Sequence, residues 1–235
     1  MRFAGTTIVI TGVGHEGQVG EAVAQAFAAE GATLALLDRT ADAVAARAAA
    51  LTAGGARATG YACDLTNPAE VAAVAAQIAT ATPRIDALIN VAGGFAMSGP
   101  LGKADVSTLQ RQIAVNLTTA WVASNTFVPM IKDGGSVIYF ASAIALPGGR
   151  TASMSAYAAA KAGVIGLMHA MADEGRARGI RSNAVAPVTV RTGDNLRSMG
   201  TKVRYVERET VAKTVLFLCS ADAGAITDQV IRLGD

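Results

Sequence analysis

At 235 residues, the chain has the length of one large α/β domain rather than two small ones, and a single domain spanning 1–235 is the expectation. Hydrophobic residues make up 51% and aromatics only 5%, so the apolar mass is the Ala, Val, Leu and Ile of slim, layered helices and strands. The formal charge of +2, with both signs scattered, leaves no basic stripe to track a phosphate backbone, so nucleic acid is not an expected partner.

The opening residues carry one basic side chain and a short apolar run without a small-residue cleavage site, which reads as a first strand over Thr6 to Thr11. Further β-branched runs at Thr33 to Asp38, Arg57 to Ala62, Ala87 to Asn90, Ser136 to Phe140, Arg181 to Ala186 and Gln229 to Leu233 read as strands. Helical patterns fill Gln18 to Glu30, Ala41 to Thr52, Pro68 to Thr80, Val106 to Ile131, Ser155 to Arg178 and Glu207 to Ser220. Pro68 suits a first helical position after Asn67, a good N-cap. This alternation predicts a doubly wound, Rossmann-like, mostly parallel seven-stranded sheet with helices on both faces. Charges or glycines break every apolar run short of the roughly 20 residues that span a bilayer, so neither a membrane span nor a membrane partner is expected, and a cytoplasmic location is. Cys63 and Cys219 have no metal-ligand spacing and read as small core residues; no metal site is expected.

Ligands of such sheets bind beyond the carboxyl ends of the strands, where strand order reverses. The first strand ends in a glycine-rich turn, Gly12, Gly14, Gly17, Gln18, Val19 and Gly20, that leads into an amphipathic helix. Glycines let backbone approach a pyrophosphate, and the helix N-terminus offers free N–H groups. Asp38 ends the second strand, where a carboxylate can accept from adenosine ribose hydroxyls and repel a 2′-phosphate, so NAD is favoured. Arg39 follows and can reach a 2′-phosphate, which leaves NADP open. Asp64 can meet the adenine amino group or can cap the next helix with Thr66 and Asn67.

Tyr157 and Lys161 stand four positions apart on a predicted helix, so phenol and ammonium share a face. A free phenol titrates near pH 10, and a neighbouring ammonium favours phenolate at ~1.4 kcal/mol per unit of lowering. Ser142 ends the preceding strand and can donate to a substrate carbonyl. His15 and His169 are the only histidines, too few for a histidine-based triad and separated in sequence.

The turn after the first strand, Asn90-Val91-Ala92-Gly93, Asn116, Ser142, Tyr157-Ala158-Ala159-Ala160-Lys161, Asn183 to Pro187 and Thr192 occur in the order of the short-chain dehydrogenases/reductases. The resemblance covers essentially the whole chain and is greatest to the classical branch, which includes the 3-oxoacyl carrier-protein reductases. It implies hydride transfer between a nicotinamide cofactor and an alcohol/carbonyl substrate. It further implies Tyr157 as general acid/base, Lys161 on the nicotinamide ribose, Ser142 on the carbonyl, and Asn116 holding a relay water. Asn90, Ala92 and Gly93 would line the cofactor groove, Leu65 would lie beside the adenine, and Pro187, Val190 and Thr192 would lie along the nicotinamide end. A homodimer or homotetramer is implied, paired through Val106 to Ile131 and Ser155 to Arg178. The chain departs from the pattern in the length of Val13 to Gly17, in the Gly148-Gly149-Arg150 bulge between Ser142 and Tyr157, and in the short segment after Thr192. A non-catalytic cofactor-binding or regulatory role, or an enoyl-reductase-like activity, are the alternatives these departures raise.

Overall fold

The computed structural model describes residues Met1–Asp235. Seven strands form one sheet: β1 (Thr7–Thr11), β2 (Thr33–Asp38), β3 (Arg57–Ala62), β4 (Ile85–Asn90), β5 (Ile131–Phe140), β6 (Arg181–Pro187) and β7 (Gln229–Leu233). Their order is β3-β2-β1-β4-β5-β6-β7, and every neighbouring pair is parallel. The chain winds outward from β1 to β3, then crosses back to lay β4 on the other side of β1. That reversal opens a crevice above the ends of β1 and β4.

Two buried layers flank the sheet. On one face α3 (Pro68–Ala81), α5 (Thr119–Phe127) and α6 (Ser155–Gly175) cover Val9, Leu37, Leu88, Val137 and Ala184. On the other, α1 (Val19–Ala29), α2 (Ala41–Ala53) and α8 (Arg208–Cys219) cover Ile8, Ile10, Leu36, Ile89 and Val185. Adjacent residues of one strand therefore serve opposite cores, as the two-residue period of a strand requires. Asn67 caps α3 by accepting from the Ala69 N–H at 3.1 Å, with Pro68 behind it as expected.

The long helical segment expected over Val106 to Ile131 is interrupted. α4 (Val106–Ile113) passes through a π turn at Ala114–Thr118 before α5, and Pro129, in a short 3₁₀ turn, ends the run ahead of β5. Proline has no N–H to continue the ladder. The segment after Thr192 also holds an element that was not expected, α7 (Gly193–Met199), capped by the Thr192 hydroxyl, which accepts from the Asn195 N–H at 3.2 Å.

Two glycines of the first turn are required by packing alone. Gly12 has φ +73°, and a Cβ there would lie 2.6 Å from the Cα of Ala92. A Cβ on Gly20 would overlap the carbonyl oxygen of Gly12. The sequence assigns these glycines to close approach of a pyrophosphate or to helix packing, and the packing is seen directly: the start of α1 rests backbone on backbone against the end of β1. A side chain at either position disturbs the fold as well as the crevice.

Candidate active site

The crevice gathers side chains from four elements. Ser142 follows β5, Tyr157 and Lys161 lie one turn apart on α6, Asn116 lies in the π turn, and Gly93 and Gly94 follow β4. A Cβ on Gly93 would come 2.8 Å from Asn116 Oδ1 and 3.3 Å from Lys161 Nζ, so these three groups meet at one point. The Lys161 ammonium donates to the Phe140 carbonyl at 2.6 Å and lies 5.8 Å from the centre of the Tyr157 ring. The edge of Phe95 packs on the same phenol, with ring centres 5.1 Å apart and planes at 88°. Phe95 is itself 57% exposed and forms an apolar wall at the mouth.

Electrostatics differ from the sequence expectation. Burial pushes Lys161 down to about 8 and raises the Tyr157 phenol above its ordinary value, with the Ser142 hydroxyl acting in the opposite direction. Lys161 alone does not lower the phenol: its ammonium is bonded to a carbonyl and is desolvated, which weakens its claim to the charge. Ser142 is buried, accepts a long 3.5 Å bond from the Ile144 N–H and has its hydroxyl within hydrogen-bonding reach of the Tyr157 phenol.

The Asn116 amide is committed to backbone. Its Oδ1 accepts from Gly94 N–H at 3.1 Å, and its Nδ2 lies 2.8 Å from the Gly94 carbonyl and 3.1 Å from that of Gln112. The side chain thus straps the loop after β4 to the π turn. Ser153 and Ser155 anchor the loop after β4: Ser98 N–H donates to the Ser153 carbonyl at 2.9 Å, and the Ser98 and Ser155 hydroxyls are 3.2 Å apart.

Around the glycine turn, the Gly14 N–H donates to Asp38 Oδ2 at 2.9 Å, and Thr40 N–H donates to Oδ1 at 3.2 Å. Gln18, the N-cap of α1, makes no capping bond, so no side chain competes for the N–H groups of the first helical turn, where Val19 and Gly20 stand. It reaches across to Asp194 on α7 at 2.8 Å. Asp64 Oδ1 is taken by the Thr66 N–H and hydroxyl, which lower its carboxyl; exposed Arg39 adds to that lowering. Capping of the following turn, the second reading of Asp64, is therefore realised. Leu65 and Val190 bury their side chains in the two cores, so only their backbone faces a ligand. Asn90 donates to Ser124 at 3.3 Å, and Ser124 pairs with Tyr139 at 2.8 Å, while Asn90 Oδ1 is buried without a partner. Pro187 ends β6, and Ala92 N–H donates to the Thr11 hydroxyl at 3.2 Å. Gly17, with φ +73°, approaches Gly193 at the start of α7.

Sequence reasoning missed Glu21. Its buried carboxylate accepts from the Gly17 N–H at 2.6 Å and pairs with Arg47 of α2 at 2.5 Å and Arg208 of α8 at 3.3 Å. The sequence signal was a glutamate at the third helical position, where such side chains reach back to the N-terminal backbone.

A glycine-lined helix N-terminus with uncapped N–H groups, a ribose-height carboxylate and an open groove suits a dinucleotide. Fold and cluster together define a dinucleotide-dependent oxidoreductase. A family model described as enoyl-(acyl carrier protein) reductase matches residues 12–233. The chain is 32% identical to 2-(S)-hydroxypropyl-CoM dehydrogenase 3 of Xanthobacter autotrophicus, over 96% of this chain and 94% of that one. It is also 32% identical to meso-2,3-butanediol dehydrogenase of Serratia marcescens, over 96% and 92%. A solved blue fluorescent protein from a metagenomic library, in complex with NADPH, superposes with a TM-score of 0.90 at 27% identity, covering 99% of this chain and 98% of that one. The chain belongs to the short-chain dehydrogenase/reductase family and is a nicotinamide-dependent oxidoreductase of alcohol/carbonyl pairs.

The lowered Lys161 carries a stability signature. Between its folded value of about 8 and its ordinary 10.5, the unfolded chain binds more protons than the folded one, so stability rises with pH across that window. From about pH 7.5 to about pH 9.5, urea unfolding should show the parent gaining about 2 kcal/mol relative to Lys161→Met. Parallel profiles would mean that the ammonium is not desolvated.

Proposed function

We propose that Tyr157 is the general acid/base of this oxidoreductase, with Ser142 and Lys161 as its partners. The observation that carries the reading is the convergence of these three residues beside Gly93 and Asn116, above the sheet's crossover. The nicotinamide supplies the site that accepts or gives up hydride. In alcohol oxidation Tyr157 phenolate takes the hydroxyl proton as the carbon–hydrogen bond breaks; in the reverse direction the phenol returns it to the carbonyl oxygen. Ser142 donates to that oxygen and fixes its position. Lys161 holds ribose hydroxyls and stabilises phenolate jointly with the cationic ring, since its own ammonium leaves the phenol raised. Asn116 fixes the Gly94 loop, and a π turn of this kind often marks a functional position in a helix. The apolar mouth, with exposed Phe95 packed on Tyr157, favours an uncharged substrate over an acid or a carrier-bound phosphate.

An enoyl-reductase-like reaction is the second reading, favoured by the description of the matching family model. A panel of secondary alcohols, ketones, diketones and enoyl thioesters, followed by cofactor absorbance, separates the two. Tyr157→Phe keeps the side-chain volume and removes the transferable proton. Turnover should fall about 10² to 10⁴-fold with cofactor affinity preserved. Retention of turnover within about threefold, with hydride transfer rate-limiting, would remove Tyr157 from the mechanism.

The cofactor reading is NAD. Asp38 is buried and fixed by two backbone N–H groups at the end of β2, and a 2′-phosphate would bring negative charge against it. NADP is the alternative, through exposed Arg39. Direct titration decides between them: NADPH binding at least about tenfold tighter than NADH would reverse the assignment.

We further assign a homo-oligomer, as homodimer or homotetramer, formed through the faces of α4, α5 and α6, within one catalytic domain per chain. Leu109, Ile113 and Trp121 are exposed there, Trp121 by 52%, and Leu117, Trp121, Gly163 and Leu167 line a groove of about 420 Å³. Apolar exposure of this kind favours a covered face. Sedimentation of the parent should give at least a dimer and Trp121→Lys a lower state; a parent that sediments as a monomer at micromolar concentration would rule the assembly out.

A further inference from the structure

The glycine turn is unusually long through Val13 to Gly17, and it has to be anchored from within. Its first half hangs on Asp38 through Gly14. Its second half hangs on Glu21 through the 2.6 Å bond from the Gly17 N–H. Glu21 stands in the first turn of α1, where a diphosphate is favoured by uncapped N–H groups and the helix dipole. A lone carboxylate at that position would repel the ligand. The structure resolves this conflict with two guanidinium groups from distant parts of the chain, Arg47 on α2 and Arg208 on α8. Glu21 and Arg47 keep only 10% of their side chains exposed and Arg208 27%, so the pairing is screened little by solvent. Arg208 also meets the exposed Glu209 at 3.4 Å, so the cluster balances its charges behind the turn and Glu21 is not left as a lone anion.

We infer that Glu21 is a positioning residue for the cofactor diphosphate: its carboxylate sets the shape of the turn at Gly17, and Arg47 and Arg208 make that carboxylate electrostatically tolerable there. Glu21 touches neither substrate nor nicotinamide. The inference rests on the dinucleotide reading of the crevice.

The test compares Glu21→Gln with Glu21→Ala in the full-length protein. Both lose the charge, leaving buried Arg47 without its carboxylate and Arg208 with Glu209 alone, so both lower the melting temperature. Only Gln keeps an oxygen for the Gly17 N–H. Calorimetric titration with ADP-ribose, which carries the diphosphate but no nicotinamide, should find Glu21→Gln within about threefold of the parent and Glu21→Ala weaker by about tenfold or more. At saturating cofactor, kcat should stay within about threefold in both. Equal ADP-ribose affinity in the two variants would overturn the positioning role and leave Glu21 as a structural ion-pair member. A parent that binds neither ADP-ribose nor either reduced nicotinamide dinucleotide would overturn the dinucleotide reading itself, and this inference with it. Should Glu21→Ala not fold, Arg208→Met, at the more exposed end of the cluster, uncovers the carboxylate. ADP-ribose should then bind several-fold more weakly at low salt, with the deficit shrinking as salt rises; an unchanged affinity would overturn the charge-compensating part.

Discussion

The contact on which the crevice depends is the seating of Gly20 on the carbonyl of Gly12. With no Cβ between them, the start of α1 lies directly on the end of β1, and Gly12 in turn lies against the backbone of Ala92 beyond β4. Three chain segments therefore meet at backbone distance where the strand order reverses. The walls of the crevice take their position from this junction: the uncapped N–H groups of α1, Asp38 at the end of β2, Asn90 at the end of β4 and Gly93 beyond it. The long turn is accommodated because its extra residues bulge away from the junction and are fastened to Asp38 and Glu21.

Around Tyr157 and Lys161, rigidity and charge are supplied by different groups. Asn116 and Ser124 spend their hydrogen-bonding capacity on backbone and on other buried polar atoms, which holds the loop after β4 in place. Lys161 is pinned to Phe140 and desolvated, Tyr157 is desolvated beside it, and neither ionises easily alone. Such a pair responds strongly to any further charge brought into the crevice, because burial has removed the water that would otherwise screen it.

Much of this was legible in the sequence. β2, β3 and β7 follow their predicted runs to the residue: β2 is buried and apolar throughout, while the edge strands β3 and β7 are marked by the turn residues that bound them. Tyr157, Lys161 and Ser142 were legible from helical spacing, from a strand end and from the family pattern. The π turn was not, because Ala114 to Thr118 has ordinary helical composition and the widening comes from tertiary packing around Asn116. α7 escaped because a seven-residue helix carries too few turns for a periodic signal, and its stability comes from Thr192 and Tyr205. The role of Glu21 was not legible, since its partners Arg47 and Arg208 are remote in sequence and meet it only in the folded chain.

The two walls of the mouth are fastened very differently. The wall bearing Phe95 is tied at one end by Asn116 to Gly94 and at the other by Ser98 to Ser153 and Ser155. Opposite it, α7 reaches the phosphate turn through the single exposed bond from Gln18 to Asp194. One wall is fastened to the loop and helix that carry Tyr157, the other to its own neighbours Val190, Thr192 and Tyr205. Changes from Asp194 to Met199 can therefore accumulate without moving the Tyr157 phenol, whereas an equal change in the first wall reaches Tyr157 through the ring of Phe95. The fold thereby separates what may drift over generations from what must stay constant.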